Sequence, residues 1–289
     1  MNYHERALCF QCQEKTLIGI LCMPQDAGNR GILFVVGGPQ YRAGSHRQFT
    51  LLARQFASED IPSMRFDYRG MGDSEGDVRE FSSIDDDIRV AVDQFFQEVP
   101  EINEVVLWGL CDAASAAIFY ARQDSRITGL VLLNPWVRTE QGVAKAYLKH
   151  YYLARLLDRQ FWRKIITGQF AFFAAAQSFM QQIIKLIFQK KILPSVGADE
   201  ASSQVVIDLP KKMADGLRLF TGRTLFILCG NDLTAQEFSD LAESSKDWKK
   251  LMLSSKISRM DLAGANHTFS RRQWREEIGL WTIDWIKKQ

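Results

Sequence analysis

The sequence predicts a doubly wound α/β sheet forming one domain with a helical insertion, and three observations lead there. Several apolar runs, residues 31–36 and 130–133 among them, are too continuous for a half-exposed sheet and read as strands buried on both faces. Between the strands lie stretches with one apolar face at helical spacing, and this alternation implies parallel pairing through right-handed crossovers. At 289 residues, 46% hydrophobic and 24% charged, the chain is long enough for one large core plus an insertion.

Taken in order, residues 7–12 and 17–23 alternate in polarity and predict an antiparallel pair joined by 13–16. Residues 31–36 form the first buried strand, closed by Gly37 and Gly38. The spacing of Phe49, Leu52, Ala53 and Phe56 predicts a helix over 46–57, and a strand over 61–67 empties into a loop rich in glycine and charge, 67–76. Ile84, Ile88, Ala91, Val92, Phe95 and Val99 mark the next helix. Its first turn carries Asp85, Asp86 and Asp87, where the helix dipole favours negative charge, so the run reads as capping and not as a metal site. A strand over 105–110, a helix over 112–122 and a strand at 130–133 follow.

The alternation then stops. No clear strand occurs over 141–198, which holds nine Lys or Arg against one acid, Asp158. Its apolar run at 170–179 is well short of the roughly 20 residues a membrane span requires. Strands resume at 224–229 and 256–262, and a helix over 271–288 carries Trp274, Ile278, Trp281 and Trp285 on one face. The expected organisation is one domain, 1–289, with its core in 1–135 and 223–289 and a helical lid or cap over about 136–222.

The net charge of +2 gives no reason to expect a nucleic-acid partner. The polar start leads straight into strand-like sequence without the basic and apolar regions of a secretory signal, so a cytoplasmic location is expected. Of the five cysteines, Cys9, Cys12, Cys22 and Cys229 lie in strand-like segments and read as reduced thiols. Cys9 and Cys12 fall on opposite faces of a strand and have no second Cys/His pair, so neither a metal nor another cofactor is expected.

The remaining cysteine, Cys111, stands between a strand ending at Gly109 and Leu110 and a helix opening with small residues. The pattern is G-x-S-x-G with Cys111 in place of serine and Ala113 in place of the second glycine, a sharp turn that presents a nucleophile. Asp232 and His267 each follow a strand, which gives the chain order nucleophile, acid, histidine. An imidazole can take and return the nucleophile's proton while a carboxylate fixes its tautomer. Cys111, His267 and Asp232 are therefore the candidate catalytic residues, with Asp240 and Glu237 as weaker alternatives for the acid. A helix N-terminus and a neighbouring histidine favour thiolate at Cys111, whereas Asp112 opposes it. The expected oxyanion donors are the backbone N–H groups of Asp112 and Gly38, with Gln40 as the alternative to Gly38 because Pro39 has no N–H. His46 and Arg47 open a helix beside this loop and are candidates for substrate contact as much as for surface or capping roles. Asp67 and Arg69 are expected to hold their own loop together through charge-assisted hydrogen bonds.

Val36-Gly-Gly-Pro39, Asp67-Tyr-Arg-Gly-x-Gly-x-Ser74, Gly109-x-Cys-x-Ala113, Gly230-Asn-Asp232 and His267 together resemble the α/β-hydrolase superfamily. The resemblance implies a mostly parallel eight-stranded sheet flanked by helices, a helical lid insertion, and attack on an ester or thioester through an acyl-thioenzyme. More narrowly, Gly37-Gly-Pro-Gln-Tyr-Arg-x-Gly-Ser-His-Arg-Gln-Phe49, Gly109-Leu-Cys-Asp-Ala113 and Asp232-Leu-Thr-Ala-Gln236 resemble the first of the hydrolases associated with the bacterial exosortase A system. That likeness implies a bacterial exopolysaccharide and envelope context. The cysteine elbow is also similar to those of dienelactone hydrolases and polyhydroxyalkanoate synthases. Three functions are open: a hydrolase, an acyltransferase with the same triad, and a catalytically silent fold that binds a partner. The substrate class is a small molecule or a lipid- or glycan-linked acyl group. The basic insertion reads either as a lid over the pocket or as a surface resting on anionic lipid, peripheral to the inner membrane.

Overall fold

The computed structural model describes residues 3–38, 40–137 and 208–288. Eight strands form one sheet in the order β1-β2-β4-β3-β5-β6-β7-β8. They are β1 (Tyr3–Cys12), β2 (Lys15–Pro24), β3 (Arg30–Val35), β4 (Ser63–Asp67), β5 (Glu104–Leu110), β6 (Ile127–Leu133), β7 (Arg223–Asn231) and β8 (Ile257–Asn266). The pairs β1/β2 and β2/β4 are antiparallel, and every other pair is parallel. The N-terminal hairpin turns on Gln13 and Glu14, at φ 48° and 62°, the left-handed pair that a two-residue turn between twisted strands requires.

The helices are α1 (Gln48–Ala57), α2 (Asp85–Glu98), α3 (Asp112–Ala121), α4 (Leu209–Leu219), α5 (Leu233–Ser244), α6 (Lys246–Met252) and α7 (Arg272–Lys287). α1 packs against α7, while α3 packs against both α2 and α4. Right-handed crossovers put the first pair on one face and the others opposite, because β3 to β4 runs the other way along the sheet from β4 to β5 and β5 to β6. Ile32, Leu33, Phe34, Val106, Leu107 and Trp108 have no exposed surface, as expected of central strands covered on both faces.

Three local expectations are corrected. The helix expected from residue 46 starts at Gln48, because His46 and Arg47 adopt left-handed backbone at φ 54° and 58° in a tight turn before it. Asp87 is not a cap: it is fully buried in an ion pair, accepting hydrogen bonds from Arg69 N and Nε at 2.9 Å and from Nη2 at 2.8 Å. Arg69 thus fastens its loop to α2 instead of holding that loop to itself. Asp67 accepts from the Asp73 N–H at 3.1 Å, inside its own loop, and also holds Arg42, whose N–H lies 2.6 Å away and whose guanidinium bonds the same carboxylate.

Of the segment expected as a lid, residues 138–207 lie outside the described residues. Its last part, α4, buries Met213, Ala214 and Leu217 and packs on α3 as an ordinary helix of the sheet's covering layer. No helix among the described residues is long and apolar enough to cross a membrane.

Candidate active site

The turn after β5 fixes the nucleophile candidate. Cys111 sits at φ 64°, ψ −123°, a conformation that costs a residue with a side chain about 1–3 kcal/mol and persists only when its surroundings impose it. They do so here through the backbone: Cys111 N–H donates to Leu133 O at 2.9 Å, and its carbonyl accepts from Ala114 and Trp136 N–H, each at 3.1 Å. The turn also needs Gly109, since a Cβ there would lie 2.7 Å from the Ala113 carbonyl carbon and oxygen. Cys111 is half-buried, Cys12, Cys22 and Cys229 are buried, and Cys9 is exposed.

Asp232 and His267 arrive from the two neighbouring strand ends. β7 and β8 run further than the apolar pattern indicates and stay paired past an irregularity at Cys229 and Asn231, so both residues follow directly on hydrogen-bonded strand. Asp232 caps α5, accepting from Thr234 and Ala235 N–H at 3.2 Å each, and its Oδ2 lies 2.8 Å from His267 Nδ1. The carboxylate on the imidazole is therefore that of Asp232, while Glu237 and Asp240 lie within α5. Burial works to lower the His267 pKa, but the hydrogen bonds to Asp232 and Cys111, with the charges of both, outweigh it and raise the pKa to about 10. Since Asp232 takes Nδ1, Nε2 is the nitrogen left for the Cys111 thiol.

A second layer of polar contacts holds the histidine turn. Asn266 donates from Nδ2 to Ser270 Oγ at 2.8 Å and accepts the Ser270 N–H at 3.1 Å. Asn134, fully buried just after β6, donates to the His267 carbonyl at 3.4 Å and accepts the Cys229 N–H at 2.9 Å. Its Nδ2 also reaches Cys229 Sγ at 3.2 Å, and that thiol in turn donates to Asn266 O at 3.3 Å. Burial pushes the Cys229 thiol up to about 12, which fits a structural hydrogen-bond donor. Asn134 was legible only as the polar end of an apolar run. Its tie to a histidine 133 positions away has no sequence signal.

The oxyanion candidates converge on one another. Gly38, at φ 57°, donates its N–H to Asp112 Oδ2 at 2.9 Å, and Asp112 Oδ1 accepts the Ala113 N–H at 3.0 Å. Burial raises the Asp112 pKa, against the backbone N–H groups of Gly38, Ala113 and Asp112 itself and the charge of His267. Behind this loop, the Arg42–Asp67 pair braces the chain just beyond Gln40. His46 and Arg47 are exposed on the same excursion, and no hydrogen bond or ion pair joins them to Cys111, Asp232 or His267 among the described residues.

The sheet order, the strained turn at the end of β5 and an imidazole–carboxylate pair at the ends of β7 and β8 together define an α/β-hydrolase fold. The chain belongs to the family described as serine aminopeptidase, S33, whose model matches residues 28–185, and it is a hydrolase. That match covers more than half of the chain, takes in Gly38, Asp67 and Cys111, and ends before Asp232 and His267. Where the family description says serine, this chain has a thiol.

No match was found among curated proteins. Among solved structures, an esterase from Pyrococcus furiosus superposes with a TM-score of 0.65 at 13% identity, covering 99% of this chain and 93% of that one. Est1E from Butyrivibrio proteoclasticus, solved with ferulic acid bound, gives 0.61 at 12% identity over 98% and 99% of the two chains. The α/β-hydrolase GrgF from a Penicillium species gives 0.59 at 18% identity over 99% and 98%. At these identities the likeness shows the fold.

Proposed function

We propose that the protein hydrolyses a carboxylic ester or thioester with Cys111 as nucleophile, His267 as proton carrier and Asp232 as the acid that orients it. The observation that carries this reading is the strained Cys111 turn at the head of α3, together with an imidazole whose Nδ1 lies 2.8 Å from Asp232 Oδ2 and whose pKa is raised in part by Cys111. With His267 raised to about 10, the ring holds a proton at neutral pH that it can deliver to a leaving group.

Cys111 Sγ adds to the carbonyl carbon, and the oxygen takes up the negative charge beside the N–H groups of Gly38 and Asp112, with Gln40 as the alternative to Gly38. As the tetrahedral species collapses, the bond to the leaving group breaks and His267 hands its proton to the departing alcohol or thiol. An acyl-thioenzyme and a neutral imidazole remain. His267 then removes a proton from water, hydroxide adds to the acyl carbon, and the C–S bond breaks to release the acid and restore the pair. The likeness of three motifs to hydrolases associated with the bacterial exosortase A system supports a bacterial exopolysaccharide and envelope context.

Alkylation rates test this reading. At pH 7, iodoacetamide followed by peptide mass spectrometry is expected to label Cys111 faster than the exposed Cys9, which serves as an internal reference thiol. Cys111→Ala is expected to lower p-nitrophenyl acetate hydrolysis by about a thousandfold or more. Labelling of Cys111 no faster than Cys9, together with unchanged hydrolysis by Cys111→Ala, would overturn it.

A further inference from the structure

The oxyanion position next to Cys111 already holds an anion supplied by the chain itself. Asp112 Oδ2 accepts the Gly38 N–H at 2.9 Å and Oδ1 accepts the Ala113 N–H at 3.0 Å, while the Asp112 N–H also bonds its own carboxylate. Of these, the Gly38 and Asp112 N–H groups are the ones a tetrahedral oxyanion on Cys111 would use, at a helix N-terminus that attracts negative charge. Gly37 completes the seat, because a Cβ at that position would collide with Asp112 Oδ1. The charge of His267 acts on this carboxylate, and burial together with the carboxylate's own charge pushes Tyr68 up to about 12.

We propose that the Asp112 carboxylate is the resting occupant of the oxyanion cradle, a built-in stopper that a substrate carbonyl must displace before Cys111 can attack productively. The inference rests on the proposed role of Cys111. A carboxylate is a stronger acceptor than a neutral ester carbonyl, so it wins in the ground state, and each encounter must first free the Gly38 N–H. As the first residue of α3, Asp112 leaves by rotating its side chain, with its own N–H remaining in place as a donor. The arrangement favours substrates that bind firmly enough elsewhere to drive that rotation and penalises small, loosely held esters.

The test compares Asp112→Ala and Asp112→Asn with wild type on p-nitrophenyl acetate. Inhibition by a short trifluoromethyl ketone, whose thiol adduct carries an oxyanion, is measured alongside. Removing the stopper is expected to raise kcat/KM and tighten inhibition by about tenfold in Asp112→Ala, the factor one hydrogen bond to a charged group is worth. Asp112→Asn, which keeps the shape but offers a weaker neutral acceptor, is expected to fall between the two. A lower or unchanged kcat/KM in Asp112→Ala, with Asp112→Asn at wild-type level, would make Asp112 a brace for the Gly38 loop and overturn the proposal. Thermal melts check that both variants fold, and Asp112→Asn carries the comparison should the alanine variant not fold. If no variant shows Cys111-dependent hydrolysis or ketone binding, the role of Cys111 itself fails. That outcome is distinct from a Cys111-dependent enzyme that Asp112→Ala does not accelerate.

Discussion

Replacing Asp232 by asparagine isolates the electrostatics of the site on one contact. Asp232 Oδ2 lies 2.8 Å from His267 Nδ1, and with Cys111 it lifts the imidazole from 6.5 to about 10 against the effect of burial. At about 1.4 kcal/mol per pH unit, the whole shift corresponds to about 5 kcal/mol for a fully enclosed pair. The His267 side chain is 32% exposed, and solvent screening reduces the contribution to folding to about 2 kcal/mol. Because the folded value lies above the unfolded one, this stability is fully present below pH 6.5 and is lost as pH rises through about 10. Asparagine keeps one oxygen for the Thr234 N–H, gives up the second oxygen that accepts from Ala235, and removes the charge. Imidazole NMR titration, assigned with His267→Gln, is expected to find His267 near 10 in wild type and shifted towards 6.5 in Asp232→Asn. In urea melts at pH 6.5 and pH 10, wild type is expected to lose about 2 kcal/mol more than the variant over that interval. The descending limb of kcat/KM against pH moves down in parallel. A wild-type His267 that titrates near 6.5, or identical titrations in both proteins, would refute the coupling.

Three further outcomes follow from the same contacts. Asp87→Ala strands the buried Arg69 guanidinium and is expected to cost about 3–5 kcal/mol in urea unfolding, far more than loss of an exposed cap. Gly109→Val drives a side chain into the Ala113 backbone, so a stability loss of about 1–3 kcal/mol is expected together with loss of hydrolysis as the Cys111 turn shifts. Asn134→Ala leaves the Cys229 N–H and the His267 carbonyl without their partner; we expect a loss of about 1–3 kcal/mol, and a fall in kcat with KM nearly unchanged because His267 is mispositioned and not removed.

The periodic parts of the fold were legible in the sequence because burial on both faces leaves a continuous apolar run, as in β3 and β6, and burial on one leaves a helical stripe, as in α1. What the pattern missed are places where hydrogen bonding overrides hydrophobicity. β8 continues to Asn266 past its apolar stretch because its pairing with β7 survives an irregularity, and α1 starts late because His46 and Arg47 take left-handed backbone. At the site, Cys111, Asp232 and His267 were each visible as a reactive residue following a strand. Long-range polar ties are not: Asp87 reads as a helix-start acid although Arg69 bonds to it, and the bonds of Asn134 to Cys229 and His267 leave no mark in the pattern. The Asp112 side chain is legible in the sequence only as a charge beside Cys111. Sequence fixes its backbone N–H as a donor, but not the rotamer that places its carboxylate on Gly38.

The central claim, that Cys111 carries the acyl group, is tested most directly by trapping it. Rapid acid quench after mixing with p-nitrophenyl butyrate, followed by peptide mass spectrometry, is predicted to find the butyryl mass on the peptide containing Cys111 and nowhere else, with Cys111→Ser shifting the adduct to an oxygen ester at the same position. Turnover of the ester with no adduct on Cys111, and undiminished turnover by Cys111→Ala, would contradict the account.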